Sequence, residues 1–242
     1  MNLDPSLQLA LRDRPTGRPV MLQKWRDLTF LHFSIEPSVI QSLLPVGLTV
    51  DTFDGKAWVG LVPFWMTAIR FPWIPPIPGT HTFPETNVRT YVHCEGKEPG
   101  VWFFSLDAAN ALAVWWARRF FGLPYHLAEM MVSGREEIQY RSVRHRGSAT
   151  HQVEVQIGDP LPYPEPGSLD FYLVERYLLY SLRGGQLYTG VVNHEPYTLR
   201  SVQVKKCEES VVQAVGIEPK PWEHICYSAG VDVEVFSLKP VV

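Results

Sequence analysis

Residues 84–129 read PETNVRTYVHCEGKEPGVWFFSLDAANALAVWWARRFFGLPYHLAE, and this stretch decides the fold. Thr90, Tyr91 and Val92 give Glu85–His93 strand character, because β-branched and aromatic side chains suit a pleated, half-buried surface. Glu95-Gly96 and Pro99-Gly100 are turn signals, so Val101–Leu106 is expected to return as a buried neighbouring strand. Asp107 then stands where a helix N-cap belongs, able to accept from the free N–H groups of a first turn. The Ala- and Leu-rich run Ala108–Phe121 ends in Arg118-Arg119, with Gly122 and Pro124 beyond, and these are helix stop signals. The only charges in this run are those two arginines, so Ala111, Leu112 and Trp115 are expected to be buried. A third strand follows Pro124.

Outward from that unit, the 242 residues carry 22 Lys and Arg against 25 Asp and Glu, a formal charge of −3. The length suffices for a full core. The near-neutral balance argues against nucleic acid or an anionic membrane as partner. Three separated cysteines, Cys94, Cys207 and Cys226, form no CxxC pattern, which speaks against a disulfide framework or zinc module and for a reducing cytoplasm. The sequence has no apolar run of membrane-spanning length and no signal-peptide core near residue 1. His32, His81, His93, His194 and His224 lack HxH or HExxH spacing, so structural roles are expected for them, with no metal and no cofactor.

Residues 1–22 read as an N-terminal arm with one short helix, and 23–242 as a single domain. Lys24–Ile35 suits a strand, and Pro37–Leu44 a short helix stopped by Pro45. Asp54-Gly55 between Leu48–Phe53 and Lys56–Phe64 marks a hairpin. The proline-dense Phe71–Phe83 is expected to be a lid or a packed loop. Leu127–Ser133, Glu136–His145 and Ser148–Gly158 read as successive antiparallel strands, with Arg141, Arg144, His145 and Arg146 at a solvated hairpin end. A short helix capped by Ser168, a hairpin around Arg183-Gly184-Gly185, a strand at Tyr197–Glu208, a helical turn near Glu209–Val215 and final strands around Gly230 complete the chain. Many short strands and few helices make an α+β protein dominated by an antiparallel sheet or barrel.

A family pattern emerges from particular residues: Trp25, Leu43-Leu44-Pro45, Gly47-Leu48, Asp54-Gly55, Ala57-Trp58, Glu85-x-Asn87-x-Arg89-Thr90-Tyr91-Val92, Gly100-Val101-Trp102-Phe103, Ser105-Leu106-Asp107-Ala108 and Gly122-Leu123-Pro124-Tyr125. Together with Glu175-Arg176-Tyr177 and His194-x-Pro196, over roughly residues 20–240, it resembles the uncharacterised DUF2071 (YqjF-like) family. That family is similar in turn to acetoacetate decarboxylase, which implies a β-barrel-like cone of antiparallel strands around a central pocket, with peripheral helices. The decarboxylase's pocket glutamate is matched by Glu85 in Phe83-Pro84-Glu85, and its arginine by Arg26 ahead of Leu44-Pro45. Where the decarboxylase has Tyr-Pro-Lys-Lys-Leu, carrying the Schiff-base lysine, this chain has Leu123-Pro124-Tyr125-His126-Leu127. A phenol and an imidazole replace two amines, and neither condenses with a ketone to an iminium.

The resemblance therefore implies a pocket with the imine chemistry removed. Glu85, Tyr125 and His126 are the candidate catalytic residues, and Arg26, Arg89 and Asn87 the candidate binding residues. Glu85, Asn87 and Arg89 are spaced by two and so share a strand face, either lining the pocket or with Glu85 salt-bridged to Arg89. Tyr125 and His126 are adjacent and point to opposite sides of a strand, which favours Tyr125 for the pocket. Arg26 is read as a carboxylate clamp or as a strand-edge arginine paired with Asp27 or a neighbour; Glu175-Arg176-Tyr177 as a corner tie. The expected function is binding of a small oxygenated molecule, such as a keto or hydroxy acid, with acid/base chemistry of lyase or hydrolase type if the protein is an enzyme. The other reading is a non-catalytic sensor or interaction protein whose barrel is filled by side chains; a homo-oligomer is compatible with either.

Overall fold

The structure, a computed structural model, describes residues 3–75, 79 and 81–241. Among these residues thirteen strands join in one sheet, accompanied by four short α-helices. The strands are β1 (Met21–Ile35), β2 (Thr49–Val50), β3 (Ala57–Arg70), β4 (Phe83–Cys94), β5 (Lys97–Ala108), β6 (Tyr125–Gly134), β7 (Glu137–Arg144), β8 (Thr150–Pro160), β9 (Leu178–Arg183), β10 (Gln186–His194), β11 (Arg200–Glu209), β12 (His224–Val235) and β13 (Lys239–Pro240). The helices are α1 (Pro5–Ala10), α2 (Pro37–Gln41), α3 (Ala111–Trp116) and α4 (Leu169–Val174). The protein is mostly β, and no helix among the described residues is long and apolar enough to cross a membrane.

The sheet wraps around two cores that share a wall. On β3, Trp58, Val62, Phe64 and Met66 face one core while Ala57, Val59 and Leu61 face the other. β1 divides likewise, with Leu28 and Phe30 on one side and Leu31, Phe33 and Ile35 on the other. Both faces of these strands are apolar and buried, which explains why their sequences run as continuous hydrophobic stretches instead of alternating. The pairings run from β5 through β4, β3, β1 and β12, and return to β5 by two routes. The ring is uneven: β11 meets β12 through the single pair Arg200↔Tyr227, and β5 meets β9 through two pairs. A regular barrel is therefore not the right description.

Several expectations change in detail. The sheet is not wholly antiparallel, since β5 pairs in parallel with both β6 and β9. A parallel neighbour needs a crossover connection, and residues 109–124, containing α3, supply one between β5 and β6. The hairpin turns at Asp54-Gly55 and Glu95-Gly96 form with both residues at positive φ, the geometry that matches strand twist. Pro99-Gly100, read as a turn, lies inside β5 instead. A Cβ at Gly100 would sit 2.8 Å from the Leu178 carbonyl oxygen, so glycine there allows β9 to approach. The expected strand before Asp54 shortens to β2, which pairs with β4. The arm is tied to the domain: Asp4 caps α1, and buried Gln8 donates to the Glu175 carbonyl at 3.0 Å. Part of the proline-dense loop, residues 76–78 and 80, lies outside the described residues.

The helix after β5 starts later than its sequence suggests. Asp107 is still in the strand, and Asn110 caps α3 by accepting from the Ala113 N–H at 3.0 Å. A π-helical turn (Ala117–Phe121) follows, ended by Gly122 in the left-handed region. Ala111, Leu112 and Trp115, expected to be buried, are exposed in the single chain, the last two by 54% and 55%. The reason is that α3 lies across the rim of an open cavity and turns only Val114 fully inward.

Candidate functional site

The cavity occupies one of the two cores and has a volume of about 430 Å³. Its walls are aliphatic and aromatic, drawn from β1, β3, β4, β5 and the segment around α3. An apolar cavity of this size with a few polar groups on one wall is the usual form of a small-molecule site. The centre is open, in contrast to the filled barrel of the sensor or interaction reading.

Its polar wall is β4. The two-residue repeat puts Glu85, Asn87 and Arg89 on the cavity side, while Thr86, Val88 and Thr90 face the other way. Tyr125, the first residue of β6, enters the same space beside Leu106. Its hydroxyl donates to Glu85 Oε2 at 2.9 Å. Burial, with a smaller contribution from the nearby Asp107 charge, raises the Glu85 carboxyl to about 8, although the Tyr125 hydrogen bond pulls the other way. Burial and the adjacent carboxylate push the Tyr125 phenol well above its ordinary value. The pair therefore holds a carboxylic acid at neutral pH, poised to exchange a proton with a bound molecule.

Arg89 is 9% exposed and has no carboxylate within ion-pair distance among the described residues. Its terminal nitrogen donates to the Leu173 carbonyl at 3.3 Å, and its plane lies over the Phe30 and Tyr91 rings at 5.4 and 5.7 Å. Its Nε has no partner, and neither has Asn87 Oδ1. A buried ion without a counter-charge costs several kcal/mol, and cation–π contacts offset only about 0.5–2 kcal/mol of that. The Glu85–Arg89 ion pair that the sequence also allowed does not form. Beside this cation, Arg176 faces the cavity too, but its charge is balanced by Asp51 at 2.8 Å.

The remaining candidates are elsewhere. Arg26 points away from the cavity, donating to the Trp25 and Val231 carbonyls at 2.8 and 2.7 Å and pairing with Asp232. A backbone irregularity puts it there: the β1–β3 register shifts after Arg26, and Gly230 opposite it adopts φ +129. The clamp into the cavity does not form; the strand-edge alternative does, with Asp232 as the neighbour that pairs with Arg26, while Asp27 accepts from Tyr227 at 2.7 Å. His126 is half-buried on the opposite face of the sheet from Tyr125, level with Asp107. Burial and the Arg144 and Arg118 charges lower it to about 4, so it is neutral at pH 7.

The DUF2071 family, described as an uncharacterized conserved protein, matches residues 22–232. The uncharacterized protein YqjF of Bacillus subtilis (strain 168) is 40% identical over 206 residues, 84% of each chain. The chain belongs to the DUF2071 family. Among solved structures, acetoacetate decarboxylase from Legionella pneumophila superposes with a TM-score of 0.64 at 11% identity, covering 95% of this chain and 92% of its own. The enduracididine biosynthesis enzyme MppR complexed with pyruvate gives 0.66 at 11% identity, covering 94% and 93%. The DUF2071 chain thus shares the fold of the acetoacetate-decarboxylase-like proteins.

Within this DUF2071 fold no lysine lines the cavity among the described residues. Two groups near the site escaped the sequence reading. Arg176 was legible only as part of a corner motif; in fact Glu175 makes the corner, accepting from Arg12 Nε at 3.2 Å and from Tyr177, while Arg176 turns inward. Arg144, assigned to a solvated hairpin end, is buried and donates to Asp107 at 2.8 Å and to Ser105 at 2.8 Å. The two-residue alternation that turns Ile138 and Tyr140 inward also turns Arg144 inward and Arg141 outward, a signal in the sequence that the solvated-hairpin reading did not use.

Proposed function

We propose that this protein binds an oxygenated organic acid in the central cavity, with its carboxylate against Arg89, and that the Glu85–Tyr125 pair exchanges a proton with the bound molecule. The observation that supports this most directly is Arg89, a buried cation facing the cavity with no counter-ion and an unpartnered Nε. A carboxylate supplies both the charge and the acceptor, and a hydroxyl or amide N–H on the ligand would satisfy Asn87 Oδ1. Glu85, protonated near neutral pH, donates to a developing enolate or alkoxide and recovers the proton afterwards, with Tyr125 fixing its orientation. Such chemistry is of lyase or hydrolase type and proceeds without an imine, because no lysine faces the cavity among the described residues. Two proteins of the same fold are named for acetoacetate decarboxylation and for a pyruvate complex, which makes keto acids the natural first probes.

The test is a thermal-shift screen of keto and hydroxy acids on wild type and Arg89→Met, followed by borohydride treatment with acetoacetate. The expected result is stabilisation of wild type by an acid, loss of that response in R89M, and no covalent adduct on any lysine. Equal responses in both proteins would remove Arg89 from the site, and a stoichiometric lysine adduct would restore imine chemistry.

A further inference from the structure

Glu85 and Arg89 stand four residues apart on β4, which the strand rise converts to about 13 Å of backbone. Their side chains do not close the gap. Arg89 leans onward over Tyr91, two residues further along the strand, while Glu85 is held by Tyr125 from β6. Asn87 stands between them with a free oxygen. The rest of this wall is apolar, with Val62 and Phe64 of β3 and Leu106 of β5 directly beside Asn87 and Glu85.

Volume points the same way. An apolar protein cavity of about 150 Å³ takes one benzene ring. At about 430 Å³ the space is roughly three times larger, and by proportion accepts about 12–17 non-hydrogen atoms. A three- or four-carbon keto acid leaves most of that apolar wall bare, and with its carboxylate on Arg89 it cannot reach Glu85. The opening is apolar as well: Leu112 and Trp115 of α3, both more than half exposed, line the rim. Of the two further arginines facing this space, Arg176 is balanced by Asp51 and half-buried Arg70 stands at the outer end of β3 within reach of water.

Resting on the organic-acid reading above, we infer that the ligand is an amphipathic monocarboxylic acid with a long aliphatic or aryl-aliphatic body. Its carboxylate sits on Arg89, its oxygenated carbon lies several bonds away beside Glu85 and Tyr125, and its apolar end extends toward α3. Proton exchange at Glu85 then acts on a mid-chain carbonyl or hydroxyl and not on a carbon adjacent to the carboxylate.

Titration of cavity tryptophan fluorescence, confirmed by calorimetry, decides this with acetoacetate, hexanoate, decanoate, dodecanoate, 6-phenylhexanoate and dodecanol, each below its aggregation threshold. Affinity for the wild type is expected to rise about tenfold for every two methylenes up to ten or twelve carbons, with acetoacetate at least a hundredfold weaker than dodecanoate. Arg89→Met lowers dodecanoate affinity at least tenfold, Arg70→Gln leaves it within twofold, and dodecanol binds wild type no better than dodecanoate binds R89M. Short and long acids binding wild type equally, both weakened by R89M, would overturn the chain-length claim and leave the organic-acid reading standing. Dodecanol matching dodecanoate, with indifference to R89M, would overturn both. Loss of binding in R70Q but not in R89M would reverse the orientation and sink the proposal. The wild-type series settles the length question without any variant, and melting curves show whether R89M is folded.

Discussion

The two faces of β4 and β5 carry polar groups in similar density but treat them in opposite ways. Away from the cavity, Asp107 takes Arg144 at 2.8 Å and Ser142 at 3.4 Å, Arg144 also reaches Ser105, and Thr86 meets His151 at 2.8 Å. There an acid and a base neutralise each other inside a packed core, and burial with the Arg144 charge keeps His151 neutral, down to about 3. Toward the cavity, one strand position along, Glu85 has no cation and Arg89 no anion among the described residues, and Asn87 keeps an unpartnered buried oxygen. A buried polar group is stable when satisfied. The face that balances its charges internally holds the fold together, even with His151 Nδ1 left unpartnered, and the face that leaves a cation unbalanced is the one proposed above to take a ligand.

Four measurements sharpen or break that contrast. The largest effect is expected from Asp107→Ala, which strands Arg144 in the core and should lower stability by about 3–5 kcal/mol in denaturant unfolding. A loss below about 1 kcal/mol would mean the pair carries no structural weight. Next comes the pH dependence of Glu85. Its folded value of about 8 lies above the ordinary 4.5, so the unfolded chain releases this proton first as pH rises. Stability should then fall between about pH 4.5 and pH 8 by a few kcal/mol, at about 1.4 kcal/mol per pH unit at most. Glu85→Gln should flatten this slope in ligand-free protein, and an unchanged slope would place the titration elsewhere.

Tyr125→Phe should lower stability by about 1 kcal/mol. It should also move the Glu85 transition further upward, because the lost hydrogen bond was holding that value down; a downward move would show that the two groups are not bonded. The smallest loss of stability is expected from Arg89→Met. Removing an unpaired buried charge should cost nothing, and a gain of about 1–4 kcal/mol is the expected result. If R89M unfolds as readily as the Asp107 variant, the two faces are energetically alike and the contrast fails.

Much of the local structure was legible in the residues. Asp54-Gly55 and Glu95-Gly96 encode hairpin turns through positive φ, Ser168 caps α4 by accepting from the Phe171 N–H at 3.2 Å, and β6 to β8 follow their alternating pattern. The shared face of Glu85, Asn87 and Arg89, and the split between Tyr125 and His126, follow from the two-residue repeat alone. Where prediction failed, the deciding interaction was distant in sequence. A register shift on β5 pairs Val88 with Ser105 and Arg89 with Phe103, so Phe104 is extra. Val101 and Phe103 face the cavity before it, and Leu106 and Ala108 after it. That slip turns Asp107 away from the cavity and toward Arg144, and no feature of VWFFSL announces it.

By itself the sequence determined the strand-rich composition, the turns, the family pattern and the absence of the decarboxylase lysines, because these depend on residue type and near neighbours. Tertiary structure alone decided that Arg26 faces outward, that Arg176 is buried, and that Arg89 stands without a counter-ion among the described residues. Each of those outcomes depends on which strand lies opposite and in what register. Charge compensation in a core is a property of groups brought together from positions far apart: Asp51 with Arg176, Asp107 with Arg144. An unpaired cation can be recognised only after all such partners have been placed.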